Sequence, residues 1–269
     1  MSYLTDSANR LYYEHHQKAN KQTIILISGL GEDHSYWLPI KDLFLQEYGV
    51  LLIDNRGTGK STDVAPVETI ATMANDVVAV MDACGLKNAH ILGHSMGGFI
   101  AQTIARDFPH RVDKLMLCST GCHPSEKIMH SLDAQNRLIR LGTVPAELLI
   151  NLGLPWAYSN QLFAHPEKLK AVIQEKLDKP LITTQEVVDQ HTNACGQFDS
   201  RPWLSNITAK TLILCGREDL LLPVDQNEFM AQSIQSSELV IIDDTAHLLH
   251  VEQPERFYKL IRKFDSSAV

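Results

Sequence analysis

The sequence predicts an α/β fold: a mostly parallel central sheet with helices on both faces and a helical insertion. Three observations carry this expectation. Short apolar runs of strand length alternate with longer runs whose apolar residues recur every three or four positions. That alternation lapses once, between Cys118 and Thr211, a span too long for one crossover helix. Finally, Gly93-His94-Ser95-Met96-Gly97 lies between a strand-like run and a helix-like one, a strand–turn–helix unit.

The strand candidates, in order, are Leu11–His15, Thr23–Ser28, Val50–Asp54, Ala89–Leu92, Lys114–Cys118, Thr211–Cys215 and Leu239–Asp243. Before the fourth, Ile70, Met73, Val77, Val80, Met81 and Cys84 form one inward stripe at helical spacing. Gly98 through Asp107 reads as the next helix, with Phe99, Ile100, Thr103 and Ile104 inward and Pro109 as its stop. Residues 122–200 are the predicted cap. Its stripes are Leu132/Leu138/Ile139, Leu148/Leu149/Leu152 and Leu169/Val172/Ile173/Leu177, with turn signals at Pro145, Pro155, Pro166 and Pro180. Ligands of open α/β sheets bind at the carboxyl edge of the strands, so the cap is expected to act there as a lid. Residues 1–121 and 201–269 make the core. A last helix starts at Pro254 and turns Phe257, Leu260, Ile261 and Phe264 inward.

Composition narrows the class. The 269 residues are 44% hydrophobic and 21% charged, ordinary values for a globular protein. A net charge of −8 argues against a nucleic-acid surface, which would be basic. No run approaches the ~18 apolar residues of a membrane span. The start, Met1 to Asp6, has neither the basic nor the apolar region of a secretory signal. Cys84, Cys118, Cys122, Cys195 and Cys215 form no Cys-x-x-Cys pair, and the odd count fits reduced thiols in a cytoplasm. The closest histidine pairs, His15/His16 and His247/His250, lack partners at metal-ligand spacing, so no metal is expected.

A serine hydroxyl attacks only when a turn presents it, a base takes its proton and N–H donors hold the resulting oxyanion. Gly93 and Gly97 flank Ser95 by two on each side, where a tight strand-to-helix turn leaves no room for side chains. The strand Thr211–Cys215 leads through Gly216-Arg217-Glu218 to Asp219. The strand ending at Asp243 leads through Asp244-Thr245-Ala246 to His247. Nucleophile, acid and base each follow their own strand, in the chain order Ser95, Asp219, His247.

In these motifs the chain resembles the α/β-hydrolase superfamily, in particular its small lidded serine hydrolases: carboxylesterases, enol-lactonases and pimeloyl-ester esterases. The resemblance spans nearly the whole sequence. Ser28-Gly29-Leu30-Gly31 matches the oxyanion loop, Asp54 to Ser61 the turn after the next strand, and Gly93 to Gly98 the nucleophile turn. Gly216 to Pro223 matches the acid loop, and His247 with Glu252, Pro254, Glu255 and Phe257 the histidine loop. It implies Ser95 as nucleophile, His247 as base and then acid, Asp219 as the group orienting the imidazole, and the backbone N–H of Leu30 and Met96 as the oxyanion hole. It favours His247 over His250 and Asp219 over Glu218. Asp54 and Arg56 would hold a turn, Asp243 and Asp244 would cap or solvate the histidine loop, and His94 would pack. Two departures stand out: Ser28 replaces a usual histidine and Ala246 a usual glycine. The first leaves the loop's orientation open.

The serine argues against the branches whose nucleophile is a carboxylate, and Leu248 against those that cleave carbon–carbon bonds, which carry tryptophan there. Ester, thioester or lactone hydrolysis remains, with no cofactor required. Trp156, Tyr158 and Phe163, then Phe198 and Trp203, are candidates to hold an apolar group. Arg137, Arg140, Lys168, Lys170 and Lys176 are what an acidic acyl carrier protein would dock to. Interspersed Glu147, Glu167 and Glu175 instead favour a solvated face. A ligand receptor with the same fold and triad but slow or no turnover is the alternative function.

Overall fold

The computed structural model describes residues 2–5, 9–67, 69–178 and 183–267. Among them nine strands form one sheet: β1 (Ser2–Thr5), β2 (Asn9–His16), β3 (Thr23–Ile27), β4 (Gly49–Ile53), β5 (Asp63–Val64), β6 (Ala89–His94), β7 (Val112–Cys118), β8 (Lys210–Gly216) and β9 (Ser237–Ile242). Their order is β1-β2-β4-β3-β6-β7-β8-β9, with β5 paired to β2 off this path. From β4 to β9 every neighbour is parallel, while β1, β2 and β5 pair antiparallel. All seven expected strands are present. The two unforeseen ones, β1 and β5, are four and two residues long, too short to show alternation.

The central strands alternate between two cores because successive side chains leave opposite faces. On one face Ile25, Ile27, Leu51, Ile91, Leu117 and Ile213 pack beneath α2 (Ile70–Ala83) and α3 (Met96–Asp107). On the other, Ile24, Leu26, Leu52, Leu92, Met116 and Leu214 pack against α1 (Leu38–Phe44) and the C-terminal helix. Burial on both faces explains why these strands read as unbroken apolar runs.

Between β7 and β8 the chain forms α4 (Glu126–Arg140), α5 (Ala146–Ala157), α6 (Asn160–Phe163), α7 (Pro166–Asp178) and α8 (Gln185–Gly196). Then α9 (Val224–Ser233) joins β8 to β9, and α10 (Leu249–Glu252) and α11 (Pro254–Ser266) close the chain. Three of the proline signals mark helix boundaries or interiors instead of plain turns. Pro145 precedes α5 and Pro166 opens α7, where the missing N–H costs nothing. Pro155 lies inside α5, near its end. Pro180 falls outside the described residues. Among the described residues no helix is long and apolar enough to cross a membrane.

Candidate active site

Ser95 occupies the turn from β6 into α3 with φ 55° and ψ −122°, a backbone state that L-residues rarely adopt. Three hydrogen bonds hold it there. Ser95 N donates to Cys118 O at 3.1 Å, and Ser95 O accepts from Gly98 N at 2.8 Å and from Thr120 Oγ1 at 2.8 Å. The flanking glycines are required by close approach: a Cβ on Gly97 would lie 2.2 Å from Ile27 O, and one on Gly93 2.1 Å from Gly97 O. Gly97→Ala should therefore destabilise the fold by about 3 kcal/mol or more, measured by urea unfolding. A cost under ~1 kcal/mol would show that the turn can yield.

Asp219 and His247 meet from the ends of β8 and β9. His247 Nδ1–H donates to Asp219 Oδ2 at 2.9 Å, with both residues buried. The other carboxylate oxygen accepts from Leu221 N at 2.9 Å and Leu222 N at 3.0 Å, so Asp219 is fixed from behind. The histidine loop is held by its surroundings as well. His247 N and Leu248 N both donate to Ala157 O, at 3.1 and 3.2 Å. Glu252 accepts from Ala246 N at 2.7 Å with one oxygen and from Ser159 N and Oγ with the other, at 3.0 and 2.6 Å.

The loop after β3 passes beside the serine: a Cβ on Gly29 would lie 3.2 Å from Ser95 Cβ. Ser28, which replaces the expected histidine, donates through Oγ to Asp33 O at 3.0 Å, and Asn55 Nδ2 donates to Ser28 O at 3.1 Å. His34 anchors the far end, with Nδ1 2.6 Å from Asp54 Oδ1. This bond to Asp54 raises the His34 pKa above the ordinary value, against the opposing effect of burial. A raised folded-state pKa means that the folded chain binds the proton more tightly. The resulting stability is complete below about pH 6.5 and is lost as the pH rises through the raised value. Between about pH 6 and 8, unfolding free energy should fall more steeply for the native protein than for His34→Phe; parallel curves would contradict this.

Ser95, His247, Leu30 and Met96 line one pocket of about 240 Å³. Its apolar wall comes from Phe99, Ile128, Met129, Leu132, Leu222 and Leu248. The aromatic residues expected there are placed elsewhere. Tyr158 packs with Leu154 and Leu162, Phe198 stacks on Phe99 at 4.3 Å between ring centroids, and Trp203 lies under the Arg106 guanidinium. Trp156 and Phe163 are not among the lining residues. Helical periodicity shows which residues face inward, not which inward residues reach a cavity.

The rival residues are engaged elsewhere. His250 is buried against the rings of Tyr36 and Trp37, and burial pushes its pKa down to about 3. Glu218 accepts from Asn160 N, and Asp243 pairs with Arg217. Asp54 accepts from His34 N and Lys60 N, while Arg56 forks onto Asp76, so both hold their turn. Arg137 and Arg140 of α4 pair with Asp133 and Asp189. Asp33, His34 and Asp54 bring possible ligand atoms within 4.8 Å, but Asp54 and Asp33 are already accepting backbone N–H bonds.

His94 does more than pack. Burial, with His247 and His250 beside it, holds its pKa far below the usual value, so the ring is neutral. Nε2–H donates to His247 O at 2.8 Å, and Nδ1 accepts from Tyr36 Oη at 3.0 Å. Glu252 belongs to the histidine-loop match seen in the sequence, whereas the polar supports at Tyr36, Ala157 and Ser159 had no spacing signal that would have revealed them.

Comparison with known proteins agrees with this architecture. Residues 22–254 match the family described as the alpha/beta hydrolase fold. RutD of Pseudomonas syringae pv. syringae, provisionally named a carbamate hydrolase, is 29% identical over 268 residues, covering 96% of this chain and 99% of its own. The enol-lactonase from Burkholderia xenovorans LB400 is similar in structure with a TM-score of 0.85 at 25% identity, covering 99% of this chain and 100% of that one. A thermophilic esterase from Thermogutta terrifontis has a TM-score of 0.82 at 28% identity, covering 98% and 97%.

Proposed function

The chain belongs to the alpha/beta hydrolase fold family, and from that premise we propose that it is a serine hydrolase acting on a small ester, thioester or lactone with an apolar part. One observation carries the reading: Ser95 sits on its strained turn in the pocket it shares with His247, whose Nδ1 is bound to Asp219.

The chemistry follows from the roles. Ser95 Oγ attacks the carbonyl carbon while His247 Nε2 takes the hydroxyl proton. Asp219 keeps Nδ1 protonated, which leaves Nε2 as the acceptor, and it stabilises the imidazolium. The oxyanion is held by the N–H groups of Leu30 and Met96; Met96 opens α3, whose N-terminal dipole adds to the stabilisation. One such donor contributes on the order of 3 kcal/mol to lowering the barrier. His247 then returns the proton to the leaving oxygen or sulfur as the acyl-enzyme forms. Water, deprotonated by the same imidazole, releases the acid and restores Ser95. The apolar wall of Phe99, Ile128, Met129 and Leu132 suits an aliphatic or aromatic group over a charged one.

Carbamate hydrolysis is a second reading, favoured by the RutD likeness. It uses the same attack on a less electrophilic carbonyl.

The test is turnover on p-nitrophenyl esters from acetate to decanoate, with p-nitrophenyl carbamates alongside. Turnover above about 1 s⁻¹ on one ester is expected, within the ordinary enzyme range. Carbamate turnover without ester turnover would favour the second reading. Rates equal to a Ser95→Ala blank throughout would sink the general esterase reading and move weight to a narrow lactone or carrier-bound substrate, or to a ligand receptor.

A further inference from the structure

The cap reaches past the pocket and grips the loop that carries a proposed oxyanion donor. His191, in α8, is fully buried. Its Nδ1 accepts from Gly31 N at 3.3 Å, and its Nε2 lies 3.0 Å from Arg56 O. These two contacts define the tautomer. A carbonyl oxygen can only accept, so Nε2 carries the proton; an N–H can only donate, so Nδ1 does not. Thr183 Oγ1 donates to Gly31 O at 2.8 Å, so the cap holds both polar groups of Gly31. Gly31 directly follows Leu30.

The support behind His191 is itself anchored. Gln190 Oε1 accepts from Val67 N at 3.0 Å, which ties α8 to the core. Asn136 Nδ2 donates to Thr192 Oγ1 at 3.3 Å, and Arg140 pairs with Asp189, which ties α8 to α4, a wall of the pocket.

We infer that His191 is a positioning residue for the oxyanion loop, acting through the Gly31 peptide, with Thr183 as its second clasp. The inference rests on the hydrolase reading for its catalytic consequence. It also answers the question raised by Ser28: Ser28 and Asn55 hold the start of the loop, and an imidazole from the cap holds its middle. A buried N–H left without an acceptor costs free energy, so the peptide would turn to find another partner when the ring nitrogens are removed. Misplacement of a catalytic donor by a fraction of an ångström lowers the rate without weakening substrate binding.

The test pairs three variants with two readouts: steady-state kinetics on the best p-nitrophenyl ester, and amide hydrogen exchange at Gly31. His191→Phe keeps a ring but no acceptor. It should lower kcat about tenfold with KM within twofold of native, and speed exchange at Gly31. His191→Asn can place its Oδ1 near the Nδ1 position and should recover most of both. His191→Gln, whose amide reaches toward the Nε2 position, should not. Native kcat and native exchange in His191→Phe would overturn the inference, as would a change in KM alone. Should His191→Phe not fold, Thr183→Val reads the same peptide: faster exchange with lower kcat supports the inference, and native values of both overturn it. If the native protein hydrolyses nothing, the hydrolase reading has failed, and exchange at Gly31 alone decides whether His191 holds the loop.

Discussion

Replacing Ser95 with alanine should lower kcat by about 10⁶-fold on any substrate the protein turns over, because the attacking oxygen itself is removed. The same position should show a trade between activity and stability. Ser95 is held at φ 55° by bonds to Cys118, Gly98 and Thr120, and such a conformation costs about 1–3 kcal/mol for an L-residue. Glycine adopts it freely, at a cost of roughly 1 kcal/mol in the entropy of the unfolded chain. Ser95→Gly should therefore be inactive and as stable as the native protein, or more stable by about 1 kcal/mol, in urea unfolding followed by circular dichroism. A clear loss of stability would mean that the turn is not strained. Residual activity near the native level would remove Ser95 from the chemistry.

Asp219→Asn should lower kcat by about 10⁴-fold while leaving the fold in place. The asparagine oxygen can still accept from Leu221 N and Leu222 N, where Asp219 Oδ1 now does. Its NH₂ then faces His247 Nδ1, which must become an acceptor. The imidazole proton moves to Nε2, and the ring can no longer take the proton of Ser95. The decisive measurement is kcat together with a crystal structure of the variant. A drop of less than about tenfold with this geometry preserved would refute the assigned role. Glu218 offers no rescue, because its carboxylate is engaged with Asn160 N.

These two variants address residues whose positions follow from local sequence. A related dependence lies further from the chemistry. The histidine loop is gripped by Ala157 and by the bridge from Ser159 to Glu252, and the loop after β3 by Thr183 and His191. The segment between β7 and β8 thus contacts both loops that flank the serine. Changes in this segment are therefore expected to appear in kcat as well as in substrate choice.

The chain by itself determined the alternation of strands and helices, because apolar periodicity and glycine spacing are local properties. It also determined which residues stand at the strand ends. Once β6, β7, β8 and β9 run parallel in one sheet, Ser95, Asp219 and His247 share its carboxyl edge. The likeness of Ser28-Gly29-Leu30-Gly31 to a known loop marked, in the same way, the segment proposed to hold the oxyanion. Only the tertiary structure decided what lines the pocket and what holds it. Leu132 reaches the cavity and Trp156 does not, although both lie on helices between β7 and β8. His94 bonds to the His247 carbonyl 153 residues away, and His191 accepts from Gly31 across 160. Such contacts depend on how two distant surfaces meet, and a single buried histidine leaves no periodic trace in the sequence. The physical reason is the same in each case: burial and local conformation are encoded over a few residues, whereas a polar partner is chosen by packing of the whole fold.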